Sequence, residues 1–120
     1  MADIEKLTRA VLRFRDARDW KQFHNPKDVA ISLALEAAEL LEHFQWKTPA
    51  EIKAHVKAGK EDISDELADV LYWVLVLGHD LKIDISKALE KKLVKNAVKY
   101  PVSRSRGRIT KYDKLFPSQT

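Results

Sequence analysis

Eight consecutive apolar residues, Val70 to Leu77, constrain this 120-residue chain more than any other feature of it. They lie in a segment, about Asp62 to Leu81, that follows a break at Lys57-Ala58-Gly59-Lys60 and reads as one long helix. A helix that is apolar all round must be covered all round. A chain of this size buries a real but modest core, so the run predicts packing on a partner subunit as well as on the chain's own helices. It is far too short to span a bilayer, which takes about 20 residues. With three Gly and four Pro, the sequence has little material for the turns of a many-stranded β fold.

The rest of the chain fits around that helix. Residues 3–19 carry the stripe Ile4, Leu7, Val11, Leu12 and Phe14, at helical spacing. Phe23-His24-Asn25-Pro26 breaks it, with Asn25 as a cap and Pro26 in the next first turn. A second helix is expected over about Asp28 to Trp46, its core side being Val29, Leu33, Ala37, Leu40, Leu41 and Phe44. Thr48 and Glu51 form a capping-box pattern for a short helix to about Val56. The last helix starts at Asp84 or Ser86 and ends near Tyr100, before Pro101. The expectation is an all-α, four-helix bundle-like fold with two long central helices. Residues 1–101 make its domain and 102–120 a basic C-terminal tail, with no repeat and no linker between domains.

Charge is unevenly spread. From Lys87 onward there are ten Lys/Arg and two acids, whereas the remainder carries a net charge of −4. Such a basic segment is either a solvated helix face and tail or a surface that meets an anionic ligand beside an acidic site. The absence of Cys excludes disulfides and thiolate metal sites. The charged start Met1-Ala2-Asp3-Ile4-Glu5 does not resemble a secretory signal, so a cytoplasmic protein without a membrane partner is expected.

The chemistry is concentrated in four acids. Glu36 and Glu39 are three apart, and Glu66 and Asp69 repeat the spacing on the other long helix. Each pair shares a helical face. A single pair of this kind is common on solvated helices. Here, however, the first pair sits among Leu35, Ala37, Ala38, Leu40 and Leu41, and the second directly precedes the apolar run. No Lys or Arg lies between Lys27 and Lys47, or between Lys60 and Lys82, to compensate them. Converging carboxylates repel and raise one another's pKa. A hard divalent cation such as Mg²⁺, held by oxygen ligands, removes that difficulty.

Several stretches make the sequence recognisable: Arg18-Asp19-Trp20-Lys21-Gln22-Phe23-His24, Leu35-Glu36-Ala37-Ala38-Glu39-Leu40, Phe44-Gln45-Trp46-Lys47, Asp65-Glu66-Leu67-Ala68-Asp69-Val70-Leu71, Asn96 and Lys99-Tyr100-Pro101. Together they resemble the all-α nucleoside triphosphate pyrophosphohydrolases of the MazG-like superfamily, and within it the dCTP pyrophosphatase branch, over the chain to about Lys114. The resemblance implies that Glu36, Glu39, Glu66 and Asp69 bind Mg²⁺ and carry catalysis. It implies that Trp20, Phe23, His24 and Trp46 surround base and sugar, and that Lys92, Asn96 and Tyr100 lie near the phosphates. The branch has a base-pocket His where Val11 stands here. It has a Tyr where Trp73 stands, with Tyr72 beside it, and both positions touch substrate in the branch. The residues alone leave Trp20, Phe23 and Trp46 equally open as packing plugs, His24 as a cap, and Lys92 as a solvated charge.

The implied reaction is attack of water on the α-phosphorus of a nucleoside triphosphate, with monophosphate and pyrophosphate as products, in the manner of nucleotide-pool sanitation. dCTP and 5-modified dCTP are the expected substrates, and a homo-dimer or tetramer the expected assembly. The alternative is a non-enzymatic helical oligomer that binds nucleic acid or nucleotide through the basic C-terminal segment, which leaves the four acids unexplained. A di-iron carboxylate protein expects E-x-x-H motifs, and neither Glu39 nor Asp69 is followed by His at that spacing.

Overall fold

A computed structural model of the chain describes residues 3–114. Met1, Ala2 and positions 115–120, the end of the expected basic tail, lie outside the described residues. Six helices and two short 3₁₀ turns make up the described chain: α1 (Ile4–Ala17), α2 (Pro26–Glu42), α3 (Pro49–Ala58), α4 (Lys60–Asp80), α5 (Ile85–Lys99) and α6 (Val102–Ser105). No strand occurs among the described residues. The all-α expectation therefore holds.

The chain divides between Ile83 and Asp84 into two compact units. In the first, α4 is the central element, packed on α2, α1 and α3. Val29 of α2 and Leu75 and Val76 of α4 are its buried apolar side chains, the last two from the middle of the apolar run. The run is not covered throughout, since Leu71 stays 39% exposed. In the second unit, Asp84 caps α5 by accepting from the Lys87 amide at 3.1 Å.

Helix ends follow local chemistry. Asp3 accepts from the Lys6 amide at 2.8 Å and starts α1. The helix stops at Ala17, two residues before the expected end, because Asp19 adopts the left-handed conformation (φ 54°), which a short polar side chain tolerates. The reversal returns the Trp20 amide to the Arg15 carbonyl at 3.1 Å. Asn25 caps α2 by accepting from the Asp28 amide at 2.9 Å, with Pro26 in the first turn. α2 ends at Glu42 rather than Trp46. There His43 and Phe44 bond back three residues, to Leu40 and Leu41, and tighten the chain into turns. The Thr48 capping box forms as expected, and Gly59 alone separates α3 from α4.

α4 ends in a Schellman arrangement, with Ile83 bonded to the Gly78 carbonyl and Lys82 to that of His79. Lys82 holds the left-handed position (φ 58°) that Gly usually fills. One ion pair ties the end of α1 to the end of α4. The Arg15 guanidinium, almost wholly buried, donates to both Asp80 carboxylate oxygens at 3.0 Å.

Candidate active site

The facing of α2 and α4 brings three of the four expected acids together, while Asp69 lies outside that group and lines the aromatic cavity with Glu36. Carboxylate oxygens of Glu36, Glu39 and Glu66 lie within 4.8 Å of one another. Glu36 Oε2 and Glu66 Oε2 are buried and have no hydrogen-bond partner. None of the ion pairs among the described residues reaches the cluster. Burial pushes the Glu36 carboxyl up to about 7, helped by the close approach of the Glu66 and Glu39 carboxyls, with which a protonated Glu36 could share its hydrogen, and then by the charges of Glu39 and Asp69. These observations fit a hard divalent cation. The donors are all oxygens, two of them are orphaned, and the local charge is uncompensated. Glu36, Glu39 and Glu66 would hold it, with Asp69 beside Glu36.

Glu36 and Asp69 also belong to a cavity of about 490 Å³. Its remaining walls are Ala10, Val11 and Phe14 of α1, Trp20 of the following turn, and Tyr72 and Trp73 of α4. The reversal at Asp19 sets the Trp20 ring edge-on to Phe14, with centroids 5.6 Å apart. Tyr72 touches both Phe14 and Trp73 edge-on, at 6.3 and 4.9 Å. The Arg18 guanidinium covers the outer face of Phe14 at 3.7 Å, a cation–π contact that fixes the ring. An aromatic-walled cleft ending in carboxylates suits a flat heterocycle attached to a cation-bound anion.

Two polar atoms around this cleft lack partners. The Tyr72 hydroxyl is buried and unbonded, and burial pushes its pKa up, so it remains a donor at neutral pH. His24 stacks edge-on to Trp73 at 5.3 Å, and its Nδ1 is likewise orphaned. Burial and then the positive charge of Arg15 hold its pKa below the usual value, while Asp80 opposes them. The lowered pKa favours the neutral form of His24, which has one donor and one acceptor nitrogen.

Two other expected site residues of the first unit do not line the cleft. Phe23 is 65% and Trp46 88% exposed, and neither lines the aromatic cavity. Lys92, Asn96 and Tyr100 belong to α5 and its C-cap, in the second compact unit. There Tyr100 packs edge-on against Tyr112 at 6.1 Å, and the Lys99 ammonium lies 4.8 Å from the Tyr112 ring. Phe14 and Tyr72 are the site residues that sequence reasoning missed. Phe14 was indistinguishable from the core stripe of α1. Tyr72 had a signal, since it lies three residues after Asp69 and so on the acidic face.

An all-α chain with a helix-borne carboxylate centre at the end of an aromatic cleft is the class that fold and site define. The chain belongs to the MazG-like family, whose description matches residues 31–115. It is 37% identical to dCTP pyrophosphatase 1 of Rattus norvegicus and 33% to that of Homo sapiens, in each case over 93% of this chain and 67% of the relative. A pyrophosphatase from Archaeoglobus fulgidus has a similar structure, with a TM-score of 0.78 and 37% identity over 84% of this chain and 94% of that one.

Proposed function

We propose that this chain hydrolyses deoxynucleoside triphosphates between the α- and β-phosphorus, releasing monophosphate and pyrophosphate, with dCTP and 5-substituted dCTP as preferred substrates. The activity class, nucleoside triphosphate pyrophosphohydrolase, rests on the family and on its dCTP pyrophosphatase relatives. The observation that carries the reading is that Glu36 belongs both to the carboxylate centre and to the aromatic cavity, which Asp69 also lines. A nucleotide whose base fills the cavity has its α-phosphate at the acids.

Mg²⁺ is the proposed cofactor; when bound it acidifies water and offsets charge on the phosphates. The protein's own residues do the remaining work. Glu36, Glu39, Glu66 and Asp69 provide a fixed oxygen donor set. Glu39, the exposed member of the cluster, is assigned the proton of the attacking water. Phe14, Trp20, Tyr72 and Trp73 hold the base by ring contact, worth about 1–3 kcal/mol per base in nucleic-acid systems. Tyr72 and His24 supply polar atoms that penalise a base edge unable to pair with them. Trp46 and Phe23 are assigned to the surroundings of base and sugar and Lys92, Asn96 and Tyr100 to the phosphates on the family resemblance alone, and a homo-dimer or tetramer is the proposed assembly. The catalytic domain is residues 1–101, and 102–120 its basic tail. No helix among the described residues is long and apolar enough to cross a membrane, and a cytoplasmic setting matches a free nucleotide substrate.

A panel of the canonical nucleoside and deoxynucleoside triphosphates with Mg²⁺, scored for pyrophosphate, tests the proposal. The highest kcat/KM is expected for dCTP. A higher value for dATP or dGTP overturns the base assignment, and no pyrophosphate from any of them overturns the activity.

A further inference from the structure

The carboxylate centre has a second side. Glu39 and Glu66 line another cavity, of about 410 Å³, whose remaining walls are Glu42, His43, Lys47 and His55. The aromatic cavity and this polar one thus meet at the acid cluster, Glu36 facing the first and Glu39 and Glu66 the second. A nucleoside triphosphate is aromatic at one end and polyanionic at the other. Its phosphates cannot follow the base into an apolar cleft, because charge buried there has no partner. With the α-phosphate at the acids, the polar cavity receives what lies beyond it.

That cavity holds cationic and donor groups in a suitable form. Lys47 makes no ion pair among the described residues, although three carboxylates share its cavity. His43 Nδ1 and His55 Nε2 are 2.9 Å apart and hydrogen-bonded. In such a pair one ring donates and the other accepts. A neutral accepting ring must carry its own hydrogen on its other nitrogen, whichever ring it is, so the pair always keeps one N–H free of the contact between them. Two of the three carboxylates belong to the cation-binding cluster. Glu42 is the charge left over; Lys47 balances it, the neutral imidazoles add a donor without charge, and a cation at the acid cluster would supply the positive excess that an anion needs.

The geometry points to this cavity as the subsite for the leaving pyrophosphate, with Lys47 and the His43–His55 pair as its ligands. The inference rests on the pyrophosphohydrolase reading and adds three positioning residues to it, none of which touches the base. The test uses the full chain with Mg²⁺ and titrates inorganic pyrophosphate and, separately, dCMP into wild type, Lys47→Met, Lys47→Arg, His43→Gln and His55→Gln. Lys47→Met is expected to weaken pyrophosphate by about tenfold, the scale of one charge-assisted hydrogen bond. Each His→Gln variant is expected to weaken it severalfold, Lys47→Arg is expected to restore it, and dCMP affinity is expected to stay constant. Unchanged pyrophosphate affinity in Lys47→Met, or equal losses for pyrophosphate and dCMP, overturns the subsite. Wild-type turnover is measured in parallel, so loss of the activity reading and loss of the subsite are seen separately.

Discussion

At the residue scale, function and stability oppose each other at Glu36. Its carboxyl is crowded by Glu39, Glu66 and Asp69 and is pushed up to about 7. Glu36→Gln should therefore abolish Mg²⁺-dependent turnover yet raise the melting temperature of the metal-free protein at pH 8, by about 2–6 °C. Calorimetric melts with and without Mg²⁺ check both halves, and the variant should also lose the stabilisation that Mg²⁺ gives wild type. His24 makes a prediction about pH. Its folded pKa is lowered from 6.5, so the unfolded chain takes up a proton more readily. The contribution to stability is complete above about pH 6.5 and lost as pH falls through the folded value. A Tm-against-pH series between pH 5 and 8 should show this acid limb, and His24→Gln should flatten it. Tyr72→Phe, which deletes an orphaned hydroxyl in the cleft, should narrow the kcat/KM difference between dCTP and other deoxynucleotides while leaving helicity unchanged. The convergence of Glu36, Glu39 and Glu66 was legible in the sequence because their spacing and their apolar neighbours are both local facts. The His43–His55 contact was not, because it depends on how α3 packs beside α2; Tyr72 was legible by its spacing from Asp69 but not by its approach to Phe14 of α1.

At the scale of elements, caps read well and ends read less well. Asn25, Thr48 with Glu51, and Asp84 were visible as caps, since a side chain that accepts from an amide three residues on is a short-range signal. The early ends of α1 and α2 were not, because Asp19 also fits a helix and nothing in His43-Phe44-Gln45 marks the tightening of α2 into turns. The reversal after α1 builds the site, since Asp19 is what returns Trp20 to Phe14. The C-terminus of α4 offers a direct test. Lys82 occupies a left-handed position at a cost of about 1 kcal/mol, so Lys82→Gly should stabilise by up to that amount in urea unfolding. Asp80→Ala should do the reverse. It strands the buried Arg15 guanidinium, and loss of one partner of such a pair costs about 3–5 kcal/mol.

For the whole molecule, the apolar run forecast more burial than one chain provides. Val29, Leu75 and Val76 are its buried apolar side chains among the described residues, while Leu35, Leu67 and Leu71 of the two central helices remain exposed. If these leucines form one contiguous patch, a partner subunit is the proposed cover. Leu71→Asp should accordingly lower the mass found by light scattering to that of a monomer, whereas a monomeric wild type at micromolar concentration would remove the assembly from the account. The central claim is attack at the α-phosphorus by water activated at the acid cluster. Turnover of dCTP in H₂¹⁸O with Mg²⁺, followed by mass spectrometry of both products, reads it directly. The label is expected in dCMP alone, with unlabelled pyrophosphate in equal amount and no product from Glu36→Gln. Label in pyrophosphate, or dCDP with inorganic phosphate as the first products, would contradict it.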